Sequence, residues 1–319
     1  MHLQSLTPDF HGHIREGSDH LSEFRSGFLA LIGRPNVGKS TLMNTLVGEK
    51  IAIVSDKPQT TRNRIQCILT RETHQIIFVD TPGIQRPKNK LGEYMVQAAR
   101  DSLSDMEAIL FVVDAADGIG AGDRRIAGRL RELRVPIILA ANKMDIANPE
   151  NARAWIKDLA EICPFAEIVE VSAKQGLNMD LLEQKLVSFL PEGPKYYPDD
   201  MVTDQPERAI LAEIIREKAL QLLQQEVPHG IGVEMEKIQE REDKGLVEVY
   251  ASILCEKSSH KGIVIGKGGQ MLKSIGSMAR KDMEALLGEK VYLKLFVKVK
   301  NDWRNDSNTL KSLGYSLHK

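Results

Sequence analysis

Gly33-Arg34-Pro35-Asn36-Val37-Gly38-Lys39-Ser40-Thr41 follows the apolar run Phe28-Leu29-Ala30-Leu31-Ile32 and leads into helix-forming residues. Strand, glycine-bounded loop and helix in that order make a phosphate-binding loop. The glycines let successive backbone N–H groups turn toward the β and γ phosphates of a nucleoside triphosphate. Lys39 adds positive charge, and the Ser40 hydroxyl is placed to ligate magnesium. The loop alone establishes that phosphates are bound, and the base and the purpose have to come from elsewhere in the chain.

Outward from this loop, the first 190 residues alternate short apolar runs with amphipathic stretches, the pattern of a mostly parallel sheet flanked by helices. Strands are predicted at 28–32, 65–69, 75–79, 108–113, 136–140 and 167–171. Helices are predicted at 39–47, 91–103, 122–133, 149–162 and 179–189. The proline-rich stretch 191–206 suits neither regular structure and reads as a linker. Beyond it, helical spacing over 207–227, alternating strands at 233–238 and 247–254, a helical stretch, a glycine turn at 266–269, a helix over 270–287 and a strand over 290–299 give the order α-β-β-α-α-β.

With 319 residues, 42% of them hydrophobic, the chain can build two soluble domains. It has no membrane-length apolar stretch and no secretory signal, which points to a cytoplasmic protein. Cys67, Cys163 and Cys255 are scattered and odd in number, so they read as small hydrophobes and not as a disulfide framework or a zinc site. His2, His11, His13 and His20 lie in a polar start that reads as a frayed tail. Charge is uneven: residues 257–319 hold 13 Lys and Arg against 5 Asp and Glu, on a chain whose net charge is −1. A basic C-terminal end on an otherwise acidic chain points to a polyanion partner there.

Three further strand ends complete a nucleotide site. Asp80-Thr81-Pro82-Gly83 puts a carboxylate where it can hold magnesium through water and a glycine N–H where it can meet the γ-phosphate. Asn142-Lys143-Met144-Asp145 supplies a carboxylate that accepts from guanine N1–H and the 2-amino group, whereas adenine would turn a lone pair toward it. Asp145 therefore selects GTP over ATP. Ser172-Ala173-Lys174 offers the Ala173 N–H to the guanine carbonyl, with small side chains that admit the base. In this order, residues 27–190 resemble a small GTPase domain of the translation-factor-related bacterial class.

In Lys57-Pro58-Gln59-Thr60-Thr61-Arg62, which resembles the effector loop of those GTPases, Thr61 is assigned the magnesium hydroxyl and γ-phosphate amide, with Thr60 as the neighbouring alternative. Arg62 stands between two roles, a cis arginine finger and a phosphate-steering or RNA-facing side chain. Ile84 occupies the place where Ras-like enzymes carry a water-orienting glutamine, so intrinsic hydrolysis should be slow or use another element. Asn36 either caps the loop or, as in relatives with Asn at this place, helps a potassium ion complete the site.

Ile263-Val264-Ile265-Gly266-Lys267-Gly268-Gly269 joins two helices, so that helix amides, two glycines and Lys267 converge on a sugar-phosphate backbone. The apolar residues Met271, Leu272, Ile275, Met278, Met283 and Leu286 follow at helical spacing and read as core. Lys294, Phe296, Lys298 and Lys300 share one face of the last strand, and Lys261, Lys273, Arg280 and Lys281 extend the positive surface. This part resembles a type II KH domain, for which single-stranded RNA is a better ligand than duplex DNA.

One such GTPase domain followed by one such KH domain resembles the Era family of bacterial GTPases over residues 27–315. The ending Lys300-Asn301-Asp302-Trp303-Arg304-Asn305-Asp306 with Leu313-Gly314-Tyr315 carries the same resemblance. It implies an extension over 1–26 without fixed structure, a GTPase domain over 27–190, a linker over 191–206 and a KH domain with its tail over 207–319. It implies catalysis through Asn36, Lys39, Thr61 and Gly83, with metal at Ser40, Thr61 and Asp80. Nucleotide would be held by 33–41, Thr60, Thr61, Asp80, Thr81, Pro82, Gly83, Asn142, Lys143, Asp145, Ser172, Ala173 and Lys174. RNA would be held by Lys261, Gly266, Lys267, Gly268, Gly269, Lys273, Arg280, Lys294 and Lys298. The implied activity is GTP hydrolysis with Mg2+, and K+ where Asn36 serves it, in a monomer that binds near the 3′ end of 16S ribosomal RNA and assists 30S subunit maturation. Peripheral contact with the inner membrane is implied as well. The competing reading is an RNA-binding scaffold with structural nucleotide and incidental hydrolysis. A metabolic kinase is disfavoured by Asn142 to Asp145.

Overall fold

The computed structural model describes residues 24–52, 65–80, 90, 106–224 and 227–315. The first unit is a six-stranded sheet in the order β2-β3-β1-β4-β5-β6. Its strands are β1 (Arg25–Ile32), β2 (Ile65–Thr70), β3 (His74–Asp80), β4 (Ala108–Asp114), β5 (Ile137–Asn142) and β6 (Glu167–Glu170). Only the β2–β3 pair is antiparallel. Helices α1 (Lys39–Val47), α2 (Ala121–Leu130), α3 (Pro149–Ile162) and α4 (Met179–Val187) cover the sheet. Every residue of β4 and β5 is buried, as expected of parallel strands covered on both faces.

Strand alternation sorts these side chains into two cores. Leu29, Leu31, Leu110 and Ile138 pack with Leu42, Met43, Leu182 and Leu186 of α1 and α4. Ala30, Ile32, Ile109, Phe111 and Leu139 pack with Ala127, Leu130, Ile156 and Leu159 of α2 and α3. The period of two sends neighbouring residues of one strand to opposite helix layers. All three cysteines are buried, and burial raises the thiols of Cys163 and Cys255, the latter to about 11, so neither is a ready thiolate near neutral pH.

β1 begins earlier than the apolar run suggests, and Arg25 and Ser26, expected in the extension, belong to the sheet. Arg25 pairs with His74 and Ser26 with Gln75. Ser26 is fully buried, and its hydroxyl donates to the Pro194 carbonyl at 2.6 Å. The polar residues of this strand end are held by hydrogen bonds that hydrophobic periodicity does not reveal. The predicted helix over 91–103 lies outside the described residues, as do Thr60, Thr61, Arg62, Thr81, Pro82, Gly83, Ile84 and the N-terminal histidines.

Residues 191–206 form no helix or strand, yet they are fastened along the edge strand β2 and across the start of β3. The buried Gln75 carboxamide accepts from Tyr196 N (2.8 Å) and Tyr197 N (3.0 Å) and donates to Tyr197 O (2.9 Å). Ile68 N donates to Val202 O (2.9 Å), and the Thr203 hydroxyl donates to Gln66 O (2.7 Å). A proline-rich segment that pairs with the sheet only at isolated bridges, Glu192 with Arg25 and Thr203 with Cys67, thus covers part of its edge. The next helix begins at Glu207.

The second unit is the sheet β7-β8-β9, in which β7 (Ile231–Arg241) and β8 (Leu246–Cys255) are antiparallel and β8 and β9 (Lys290–Val299) are parallel. Helices α5 (Glu207–Leu222), α6 (Ser258–Ile265) and α7 (Gln270–Leu287) pack on one face. The predicted order α-β-β-α-α-β is present. Met278, read as core, is instead 39% exposed, and the adjacent Ala279 is buried against the sheet. A short helix, α8 (Ser307–Ser312), was not read from the sequence; Asp306 caps it by accepting from Asn308 N and Thr309 N. It joins a small cluster in which the buried Trp303 donates from its indole N–H to Gly230 O at 3.0 Å.

Gln75→Ala removes all three carboxamide bonds to the 191–206 segment and leaves its amides facing a buried surface. A loss of about 2 kcal/mol in unfolding free energy is expected. Cleavage within 191–206 during limited proteolysis should rise in parallel, and an unchanged cleavage rate would show that Gln75 does not fasten the segment.

Candidate nucleotide and nucleic-acid sites

The loop 33–38 crosses from β1 to α1 in a conformation that requires positive φ at Asn36 (67°) and Gly38 (98°). The Asn142 side chain, 2% exposed, explains why Gly38 has no side chain. Its Nδ2 donates to Val37 O at 2.9 Å, and a Cβ on Gly38 would stand 2.2 Å from that nitrogen. The Lys39 ammonium lies across the loop and donates to the carbonyls of Gly33 and Arg34, each at 3.0 Å. Ser40 and Thr41 open α1 at the loop's far end.

Asn142 also decides the fate of the Ala173 N–H. That amide donates to Asn142 Oδ1 at 3.0 Å. The sequence could not show this buried acceptor arriving from β5. Asp145 is exposed on the same side, and its Oδ1 accepts from the Ser172 hydroxyl at 2.6 Å, which orients the carboxylate. Lys174 is exposed beside them, and Thr45 of α1 donates to Ala173 O at 2.9 Å. Asp80 ends β3 in register with Leu31, next to the loop entrance.

Two charged pairs of this site escaped the sequence reading. Asp114, at the end of β4 and 7% exposed, pairs with the Lys143 ammonium at 2.5 Å while its Oδ1 accepts from Ala116 N and Asp117 N, each at 3.0 Å. Asp123 is fully buried; its carboxylate meets Arg34 Nε at 2.7 Å and accepts from Gly120 N at 2.9 Å. Arg34 therefore turns its guanidinium toward α2, where a Cβ on Gly122 would stand 2.6 Å from its side chain. Arg34, Pro35, Asn36, Val37, Asp114, Asp117, Lys143 and Ile146 border one open cleft of about 560 Å3. An aspartate closing a fully apolar strand, as Asp114 does, was the available signal.

In the second unit, the turn after α6 needs positive φ at Gly266 (73°), Gly268 (58°) and Gly269 (80°). Lys267 is exposed at its tip and Lys261 on α6. Gly269, Lys273, Arg280 and Lys294 line a single cleft of about 460 Å3 between α7 and the edge strand β9, together with Leu272 and Leu295. An apolar floor with a cationic rim suits unstacked bases and their phosphates. Lys298 points elsewhere: it pairs with Glu236 at 2.7 Å and Glu234 at 3.9 Å, and the Glu236 hydrogen bond holds its ammonium above the ordinary lysine value.

Asn142→Ala would orphan the Val37 carbonyl and the Ala173 amide together. With about 1 kcal/mol for each hydrogen bond, GTP affinity should fall by roughly tenfold or more in a fluorescent-nucleotide titration. Retained affinity would mean that the loop keeps its shape without this bridge.

Residues 28–143 match the family model described as 50S ribosome-binding GTPase, and residues 226–304 match that of the KH domain. The chain is 56% identical to GTPase Era of Alkaliphilus oremlandii, covering 92% of this chain and 99% of that protein. It is 54% identical to GTPase Era of Clostridioides difficile, covering 92% and 99%. Two solved structures match at a TM-score of 0.87 with 40% identity, covering 92% of this chain and all of theirs. One is a tyrosine-to-alanine variant of Aquifex aeolicus Era bound to GDP.AlF4-, and the other is Era with MgGDPNP and nucleotides 1506–1542 of 16S ribosomal RNA. Strand-end chemistry, the glycine turn and identity along nearly the whole length agree: the chain belongs to the Era family of GTPases.

Proposed function

We propose that the chain is a GTP-controlled grip on small-subunit (16S) ribosomal RNA near its 3′ end, and that it assists maturation of the 30S subunit. The observation that carries this reading is the pairing, in one chain, of a guanine-type nucleotide cleft with a glycine-turn cleft, in an arrangement close to that of the relative described with MgGDPNP and the RNA segment. The 33–41 loop binds the phosphates, Lys39 leaves the Gly33 and Arg34 carbonyls for them, and Asp145, oriented by Ser172, reads the guanine edge. Lys143 is held by Asp114 beside the base, and Asn36, Thr60, Thr61, Thr81, Pro82, Gly83 and Lys174 complete the contacts. Ser40 opens α1 where its hydroxyl can meet a cation, and Ser40, Thr61 and Asp80 would hold Mg2+, which neutralises phosphate charge when bound.

Hydrolysis in this reading serves as a timer. GTP orders the Thr61 loop and the residues around Gly83, the RNA grip forms, and hydrolysis to GDP and phosphate releases it. Lys261, Gly266, Lys267, Gly268, Gly269, Lys273, Arg280 and Lys294 form the grip; Lys298 belongs to it less directly because Glu236 already neutralises it. The protein acts as a cytoplasmic monomer. Among the described residues no helix is long and apolar enough to cross a membrane, so its inner-membrane contact in this reading is peripheral.

Hydrolysis measured with and without the 3′-terminal ribosomal RNA segment tests the whole proposal, because it engages both clefts. Charge reversal at Lys267 and Lys273 together should abolish RNA binding and leave GTP binding intact; unchanged RNA affinity would remove this surface from the proposal. RNA affinity indifferent to GTP and GDP would favour a scaffold over a switch. We also assign Asn36 to a potassium ion that supplies the positive charge of an arginine finger. Hydrolysis should then run faster in potassium than in sodium, and equal rates would return Asn36 to a loop-shaping role.

A further inference from the structure

The two units meet at a cluster of four alternating charges. Lys50, two residues beyond the Gly48 cap of α1, places its ammonium 2.9 Å from Glu217 of α5 and 2.6 Å from Asp282 of α7. Lys218 of α5 stands 2.6 Å from the same Asp282 and 3.3 Å from Glu217. Glu217 is 2% exposed and Lys218 8%, whereas Lys50 is 42% and Asp282 24% exposed, so a half-exposed lysine of the nucleotide-binding unit closes over charges of the other. Burial alone would lower the Lys50 ammonium, but hydrogen bonds and charge from Asp282 and Glu217 outweigh it and hold it above its ordinary value. A second contact joins the units: Lys90 donates from its backbone N–H to Asn305 Oδ1 (3.1 Å) and from its ammonium to Ser307 Oγ (3.3 Å).

What gives the cluster meaning is the course of the two helices that reach it. α1 starts at Lys39, on the phosphates, and its end leads into Lys50; Asn44 holds that exit by accepting from Ile51 N and Ala52 N. α7 starts at the glycine turn, carries Leu272 and Lys273 into the RNA cleft, and reaches Asp282 toward its other end. Each helix therefore has one end at a proposed ligand site and the other at the shared charges. Lys50 and Lys90 also flank, in sequence, the segments that hold Thr61 and Gly83.

We infer that Lys50 is a positioning residue that couples the two sites: its seat between Glu217 and Asp282 holds the domain arrangement in which RNA is gripped, and leaving that seat releases it. The inference rests on the proposed GTP-controlled RNA grip. Coupling between two ligands requires contacts present in one global state and absent in another, and an interface of few, solvent-reachable ion pairs can be made and broken at low cost.

The test uses the full chain and an RNA oligonucleotide covering the 3′-terminal small-subunit segment. Its affinity is measured with a non-hydrolysable GTP analogue and with GDP, for the unmodified protein, Lys50→Ala and Lys50→Arg. In the unmodified protein the analogue should favour RNA; Lys50→Ala should reduce that ratio by about fivefold or more, the usual lower range of site–site coupling. Nucleotide affinity should stay unchanged, and Lys50→Arg, which keeps the positive charge, should keep the ratio. A ratio near one in the unmodified protein would fail the underlying GTP-control reading. A large ratio that survives in Lys50→Ala would overturn the coupling role of Lys50 alone.

Discussion

The Asn142 carboxamide bonds the nucleotide loop to the base-recognition segment. One amide group has a donor side and an acceptor side, and here both are used inside the protein, on Val37 O and Ala173 N. Three strand ends, those of β1, β5 and β6, are thereby fixed to one another without any ligand. Gly38 follows as a consequence, because no other residue fits both its positive φ and the 2.2 Å that a Cβ would leave to Asn142. An open, glycine-containing loop at a sheet edge would otherwise sample many shapes, each charging an ordering cost to nucleotide binding.

Charge arranges what Asn142 does not reach. Asp114 and Asp123 are both nearly or fully buried, and each meets a cation from the site, Lys143 and Arg34. Desolvation makes such pairs poor sources of net stability, yet removing one partner strands a buried charge. Their effect is on geometry: a loop displaced from its place separates Arg34 from Asp123, and that displacement is penalised. Arg34 thus fixes the shape of the loop, and its own carbonyl receives Lys39. The exposed pairs of the surface, such as Arg153 with Glu170, carry no comparable constraint.

Which features were legible in the sequence follows from the range of the interaction that creates them. The strand-end segments at 33–41, 142–145 and 172–174 could be read because each needs particular residue types at neighbouring positions, and the glycine turn at 266–269 for the same reason. The two sheets could be read from apolar runs with flanking turns. Asp123, Gln75 and Asn142's second bond could not, since their partners lie far away in sequence and their chemistry is unremarkable until the chain is folded. The bond from the Ala173 amide to Asn142 was hidden for the same reason. Met278 and Ala279 show a finer limit: helical spacing marks a stripe, but the depth available above the sheet decides which neighbour fills it. Lys298 was grouped with the cleft by its strand parity, which fixes a face and not the distance to Glu236.

A switch built from two domains has to balance firmness within each against looseness between them. Within each unit the fastening is strong: two packed cores around one sheet, a third core in the other unit, and a linker hydrogen-bonded along β2 and β3 up to Asp204, which accepts from Gln66 N. Gln205 and Pro206 continue that fastening into α5: Gln205 N donates to the Thr203 hydroxyl, and Pro206 O accepts from Ala209 N and Ile210 N. Ion pairs between the units, placed away from this connection, have leverage on their relative orientation. Their energy must also stay small, because an effector can shift an equilibrium only by its differential affinity, about 1–3 kcal/mol in most coupled sites. A buried hydrophobic interface would exceed that and lock the arrangement. A half-exposed lysine in a socket of two carboxylates, screened by water on one side, falls within the range that a γ-phosphate can overcome or reinforce.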